Sequence, residues 1–327
     1  MRALSGASRT ILAVLALGFI ASMAACARVG EIKARKAFKT ANQAYQQQDY
    51  KKAASFYEET IQAAPETQPA REALFFLGNC YDNLYKPSKK GEADNDALLN
   101  KAVENYQKAA EAMATSTDPT DKKLGKLALE YLVAAYRADK LNDPAKAEPV
   151  VQKMIQLEPG EPSNYFQLAT IYEEAGAYDE AERILLEAKK AKPTDANVYR
   201  QLAGYYNRQG QFDKTIEALE EGARTEPNNP EGFYTISAYY WEKAYKDFKL
   251  NDKEKRDFVQ KGEEAVDHAL QLKPDYIEAL VYKGLLLRLQ ANLEKDHDKA
   301  MQLVKQAEEL SNKANSLRKQ KAAGVGD

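Results

Sequence analysis

Cysteine, histidine, long apolar runs and an excess of either charge are what this chain lacks. Its 327 residues hold two cysteines, Cys26 and Cys80. Two such residues supply no disulfide framework, so a packed core must hold the fold. Histidine occurs twice, at His268 and His297, and neither lies near a second ligand or a nucleophile in the sequence. No H-E-x-x-H, C-x-x-C, G-x-S-x-G or G-x-x-x-x-G-K-S/T pattern occurs. Glu173-Glu174 and Glu263-Glu264 are adjacent pairs. On a helix such neighbours point about 100° apart and do not converge as acid and base. The expectation is therefore no catalytic residue, no metal site, no cofactor and no enzyme activity. Forty-seven basic residues stand against 49 acidic ones, which leaves no field to attract nucleic acid. The unbroken apolar stretch Ile11–Ala21 has eleven residues, too few for the roughly 20 that cross a bilayer.

That stretch follows Arg2 and Arg9 and has the length of a signal-peptide core, which is removed before folding. It ends in Met23-Ala24-Ala25-Cys26, which resembles the lipobox of bacterial lipoproteins, with Met where Leu is usual. The resemblance implies lipid attachment at Cys26. Cleavage after Ala27, at Ala25-Cys26-Ala27, is the alternative. Without Arg2 and Arg9, 45 basic residues face 49 acidic ones. About 300 residues remain, enough for a large core.

What is abundant is periodicity. Tyr165, Tyr199 and Phe233 lie 34 residues apart. Leu168, Leu202 and Ile236 share that interval, as do Ala169, Ala203 and Ser237; Tyr172, Tyr206 and Tyr240; and Pro159, Pro193 and Pro227. Fixed-period self-similarity marks a stack of supersecondary units. Within each unit the apolar residues recur at i, i+3, i+4 and i+7, one face of a helix. Small residues such as Ala169, Ala181, Ala203 and Ala188 let two helix backbones approach. Gly176 and Gly210 fit the turn between the helices, and each proline ends the second one.

Period and pattern resemble the tetratricopeptide repeat, W-x2-L-G-x2-Y followed by A-x3-F and a closing proline. One copy is Tyr165, Leu168, Ala169, Tyr172, Ala181 and Pro193, and the next is Tyr199, Leu202, Ala203, Tyr206 and Pro227. The resemblance implies an all-α fold, a right-handed α-solenoid of about seven helical hairpins with a C-terminal capping helix. The expected organisation is a signal peptide at 1–25, a lipidated N-terminus and tether at 26–30, and a repeat array at 31–310. Its hairpins fall near 34–67, 71–115, 126–161, 162–195, 196–229, 230–276 and 277–310, before a polar capping helix and frayed tail at 311–327. Two hairpins carry insertions between their helices. The first, from Lys86 to Gly91, reads as a loop leading into a helix at Asp96. The second, holding Ala244, Tyr245, Phe248 and Phe258, keeps helical spacing and reads as longer helices.

In the family that this chain resembles, the first helix of each hairpin lines a concave surface that holds peptides or helices. The residue after each repeat's first aromatic or Leu would point there. These positions include Phe38, Phe75, Phe166, Arg200 and Tyr234. Four residues on from the first two are Asn42 and Asn79, giving an aromatic–amide pair twice. Amides can hold an extended backbone and aromatics supply contact area. The alternative is that these aromatics pack between hairpins. The carboxylate clamp of the chaperone-binding subgroup does not carry over, because Phe38 and Phe75 stand where its lysine would be. The resulting expectation is a non-catalytic scaffold of the bacterial cell envelope with a protein or peptide partner. Lipid would tether it to the outer membrane, facing the periplasm. A soluble periplasmic spacer, or an accessory subunit of a cell-envelope enzyme complex, is the alternative.

Overall fold

The computed structural model describes residues 28–137 and 139–324. Cys26 and the signal segment lie outside the described residues. The described chain is all helical: fourteen α-helices and one 3-10 turn, with no strand among the described residues. It divides into two compact units, 1–158 and 159–327.

In the first unit, α1 (28–46) and α2 (Tyr50–Ala63) form one hairpin. Next come α3 (Gln68–Leu84) and α4 (Ala93–Met113), then α5 (Pro119–Tyr136) and α6 (Pro144–Leu157). Each helix packs on the next, and α3 also packs on α5. The odd helices thus form one face. In the second unit the hairpins are α7 (Pro162–Glu174) with α8 (Tyr178–Ala191), and α9 (Ala196–Arg208) with α10 (Phe212–Thr225). Then follow α11 (Pro230–Lys246) with α12 (Asp252–Leu272), and α13 (Ile277–Leu293) with α14 (His297–Ala322).

Local sequence sets these boundaries. Asp118-Pro119, Asp143-Pro144 and Asn229-Pro230 each place a capping side chain before a proline at the first helical position. The cap side chain accepts an amide hydrogen there, and the proline lacks the N–H that would go unsatisfied. At the other end, Pro65, Pro159, Pro193, Pro227 and Pro274 directly follow the residues that cap α2, α6, α8, α10 and α12. In five hairpins the turn from first to second helix places a left-handed residue just before the second helix's N-cap, Gly91 (φ 97°) among them. Gly176 (φ 76°) and Gly210 (φ 70°) supply it, while Gln48 (φ 60°) and Asn142 (φ 54°) take the same place without being glycine.

The repeat columns are the core. Leu168, Ala169, Ala181 and Ala188 are buried, as are Leu202, Ala203, Tyr165, Tyr199 and Tyr206. Tyr172 is half-buried, and Pro193 and Pro227 are exposed at the turns they end. The first tyrosine of a repeat also fastens the preceding turn: Tyr165 donates to the Pro159 carbonyl at 2.9 Å, and Tyr199 to that of Pro193 at 2.7 Å. Phe233 has no hydroxyl, and its ring lies instead 3.9 Å from that of His268.

Three boundaries differ from expectation. Residues 28–30, read as tether, already belong to α1. The Lys86–Gly91 run is a loop as expected, with a 3-10 turn at Pro87–Lys89, but α4 starts at Ala93, three residues before Asp96, and buries Asn95 and Leu99. Asn95 makes that possible. Its side chain donates to the carbonyls of Lys86 and Lys89 and accepts from the Lys86 amide, replacing bonds the loop would lack. The capping helix is not separate, because α14 runs unbroken across Ser311 to Ala322. No turn residue interrupts it, and buried Ala314 keeps the added turns in contact.

Candidate functional site

In the first unit the expected groove residues prove to be fastened internally. Phe75 is 5% exposed and meets Phe76 at 5.3 Å, Tyr131 at 5.6 Å and Tyr106 at 5.9 Å between ring centroids. Asn79 is equally buried, and its carbonyl oxygen accepts from the Tyr45 hydroxyl at 2.5 Å and from the Asn83 amide at 2.9 Å. Phe38 is half-buried against Tyr57, whose hydroxyl donates to Asn42 at 2.6 Å. The twofold aromatic–amide pair is thus a device for joining helices. Each amide satisfies a tyrosine from a neighbouring helix, and the ring beside it fills the seam. Phe75 is not open to a partner in this structure, and Asn79 reaches solvent only at one edge.

The open surface lies one turn further along the same helices. Tyr45, Tyr50, Asn79, Asp82, Asn83, Tyr85, Pro87, Tyr131 and Lys140 line a cleft of about 480 Å³. Helices α1, α3 and α5 end there. Asp82 follows directly on the repeat tyrosine Tyr81 and accepts from Lys140 at 2.5 Å. Their side chains are 12% and 20% exposed. Tyr85 is buried, and its hydroxyl has no hydrogen-bond partner among the described residues. Burial raises the Tyr85 hydroxyl above its ordinary value, and the carboxylates of Asp96, Asp139 and Asp82 push it the same way. Burial likewise raises Tyr45 to about 12. These phenols stay neutral: Tyr45 donates to Asn79, and Tyr85 keeps its proton without a partner. Cys80 is buried beneath the same helix, and burial pushes its thiol up to about 12, so it is a packing residue.

The second unit repeats part of this arrangement. Glu173 follows the repeat tyrosine Tyr172 and accepts two bonds from Arg208 at 2.7 and 2.8 Å. Arg208 holds the Glu173 carboxyl below the usual carboxylate range. Unlike Lys140, this arginine is 57% exposed. Phe166, Arg200 and Tyr234 sit on α7, α9 and α11; Phe166 and Tyr234 are half-buried and Arg200 is exposed. The Tyr234 ring packs on Tyr276 and Tyr282 of the next hairpin at 5.5 and 5.7 Å. In the second insertion, Ala244 and Phe258 pack inward while Tyr245 and Phe248 are 63% and 86% exposed.

Sequence reasoning missed Tyr45, Asp82, Asn83, Tyr85, Tyr131 and Lys140. A signal was present for one of them: an acid directly after the repeat tyrosine, at Tyr81-Asp82 and again at Tyr172-Glu173. The other partners are not in the repeat register. Among the described residues, no helix is long and apolar enough to cross a membrane, and no cluster of three His, Cys, Asp or Glu side chains could hold a metal ion.

Residues 140–205 match the family described as tetratricopeptide repeat. Among solved structures, the C-terminal part of a tetratricopeptide-repeat protein from Cytophaga hutchinsonii is similar. It is 13% identical, covers 86% of this chain and 98% of its own, and has a TM-score of 0.53. MamA from Desulfovibrio magneticus RS-1 is 16% identical, over 57% of this chain and 95% of that one, with a TM-score of 0.38. YrrB, described as a tetratricopeptide-repeat protein with an unusual peptide-binding site, is 17% identical, over 61% and 89%, with a TM-score of 0.37. No curated protein matches the chain.

Proposed function

We propose that this chain, whose residues 140–205 match the tetratricopeptide repeat, is a non-catalytic scaffold of the bacterial cell envelope, tethered by lipid at Cys26. It holds a protein partner on the odd-helix face of its first unit. The observation that carries this reading is the 480 Å³ cleft at the ends of α1, α3 and α5. It combines part-exposed tyrosine rings, a half-buried charge pair and a buried hydroxyl without a partner. Aromatic bodies with polar tips, beside groups that still need hydrogen-bond partners, are what a protein ligand is held by. The lipobox-like end of the signal segment supports an envelope setting, and no field on the chain favours nucleic acid.

Site-specific photo-crosslinking in the native host tests the face. A benzophenone side chain placed at Asn83, exposed beside the cleft, should give a discrete adduct with one protein. The same group at Glu59, exposed on α2 of the even-helix face, should give none. Equal labelling from both positions, or no adduct from Asn83, would overturn the reading.

A further inference from the structure

We propose that this cleft takes a basic side chain, a lysine ammonium or arginine guanidinium presented by the protein partner, and that Lys140 is its built-in stand-in. The inference rests on the binding face proposed above and adds the chemistry of what binds there.

Three features favour a cation. The first is charge. Asp82 lines the cleft, and Asp96 and Asp139 act on the same buried Tyr85 hydroxyl, while Lys140 is the one ammonium among the lining residues. The second is backbone polarity. Helix α3 ends at the cleft with Tyr85 as its cap and no basic residue in its last turn, and α5 ends there too, with exposed Arg137 as its cap. A helix C-terminus bears partial negative charge that a cation offsets. The third is the rim. Tyr45, Tyr50 and Tyr131 present aromatic rings, whose faces attract a cation.

Lys140 shows how such a group would be held. It reaches from just beyond the end of α5 to the Asp82 carboxylate on α3, across 58 residues of sequence. Its side chain keeps 20% exposure, so solvent still reaches the pair. A partner's guanidinium can displace the ammonium, take both carboxylate oxygens in its planar fork and stack on a tyrosine. The released Lys140 side chain then swings to water, which its flexible stem allows. The comparable Glu173 of the second unit is already held by an arginine through both oxygens, the arrangement the proposed ligand would complete at Asp82.

The test uses the mature full-length chain in detergent and a fluorescent tetra-arginine peptide, with tetra-glutamate as the control. Tetra-arginine should bind at low salt and tetra-glutamate should not. Asp82→Asn should weaken tetra-arginine binding by roughly tenfold, the factor that one charge-assisted hydrogen bond carries. Lys140→Gln should tighten it, because the competing ammonium is gone. If either variant unfolds, the double variant Asp82→Asn/Lys140→Gln, in which amide faces amide, serves in its place and should lose tetra-arginine. Binding of tetra-glutamate, loss of tetra-arginine in Lys140→Gln, or binding unchanged in Asp82→Asn or the double variant would each overturn the proposal. The Asn83 crosslink would be untouched by that outcome, so the two readings fail separately.

Discussion

Truncating Phe75 separates a packing role from a contact role. The ring is 5% exposed and has three aromatic neighbours within 6 Å, Phe76, Tyr106 and Tyr131. Phe→Ala at such a site loses the transfer free energy of the ring and leaves a cavity, about 3–5 kcal/mol together. Phe38 has the same place in the preceding hairpin but is half-buried, with Tyr57 as its ring partner. Phe38→Ala should therefore cost only about 1–2 kcal/mol. For a unit of this size each kcal/mol is about 4 °C in melting temperature, so Phe75→Ala should melt about 10–20 °C lower. Far-ultraviolet circular dichroism follows the whole chain. The single tryptophan, Trp241, lies in the second unit and reports on that unit by fluorescence. In a repeat array, damage is felt mainly by nearest neighbours. The dichroism should therefore show an early transition that Trp241 fluorescence lacks. An unchanged melting temperature in Phe75→Ala would refute the argument and return Phe75 to the surface.

Ala203 is 1% exposed, so Ala203→Leu should overpack the seam and cost about 1–3 kcal/mol in urea unfolding. Gln48 holds φ 60° in the turn where three other hairpins use glycine; Gln48→Gly should raise stability by about 0.5–1 kcal/mol, and a loss would mean that its side chain matters. Burial, then the nearby Asp267 carboxylate, raises the Glu263 carboxyl above its ordinary value, and its Oε1 is unsatisfied. A raised carboxylate penalises the fold at neutral pH and stops doing so as pH falls through its folded value. Glu263→Gln should thus stabilise at pH 7, with the gain vanishing toward the ordinary carboxylate range; a gain that grows on acidification would contradict this. Cys26→Ser should move the exported protein from the membrane to the soluble fraction, and mature wild-type protein that begins at Arg28 would end the lipid reading.

The repeat was legible because each of its columns does one physical job at one interval. Leu168, Leu202 and Ile236 fill a seam, and Pro159, Pro193 and Pro227 stop a helix. Such jobs depend on local geometry that every hairpin shares, so they recur in sequence. Where a job has two solutions the signal thins. The left-handed turn residue is glycine three times, at Gly91, Gly176 and Gly210, but Gln48 and Asn142 do the same with no mark in the sequence. The extent of α4 was also hidden, because Asn95 supplies from its side chain the bonds that make a helix start there. The Lys86–Gly91 run marks the loop, and only the first three residues of the helix, from Ala93, are unmarked.

The cleft was hidden for a different reason, and the same reason explains the misplacement of Phe75 and Asn79. A rule that one residue of each repeat faces the ligand surface treats the helices as cylinders of equal neighbours. In the first unit α3 is 17 residues long and α4 is 21, against 13 and 14 for α7 and α8. The added residues of α3 lie mostly before its repeat motif, and aromatic side chains crowd the position where repeat register places the groove. Phe75 and Asn79 are then overlain by Tyr45, Phe76 and Tyr131. Asp82 keeps the repeat position that Glu173 has in α7, and Tyr85 caps α3; the chain that follows α5 returns beside them with Lys140. Neither partner of that pair departs from ordinary sequence statistics: an acid near the end of a helix and a lysine in a loop are both commonplace. Only their meeting, at 12% and 20% exposure, turns two surface charges into a site. Charge pairs of the open kind, such as Arg208 with Glu173, contribute little in water because solvent screens them. The half-buried Asp82–Lys140 pair is screened less, and on the proposal above it is this pair, rather than the repeat positions, that would set the selectivity of the face.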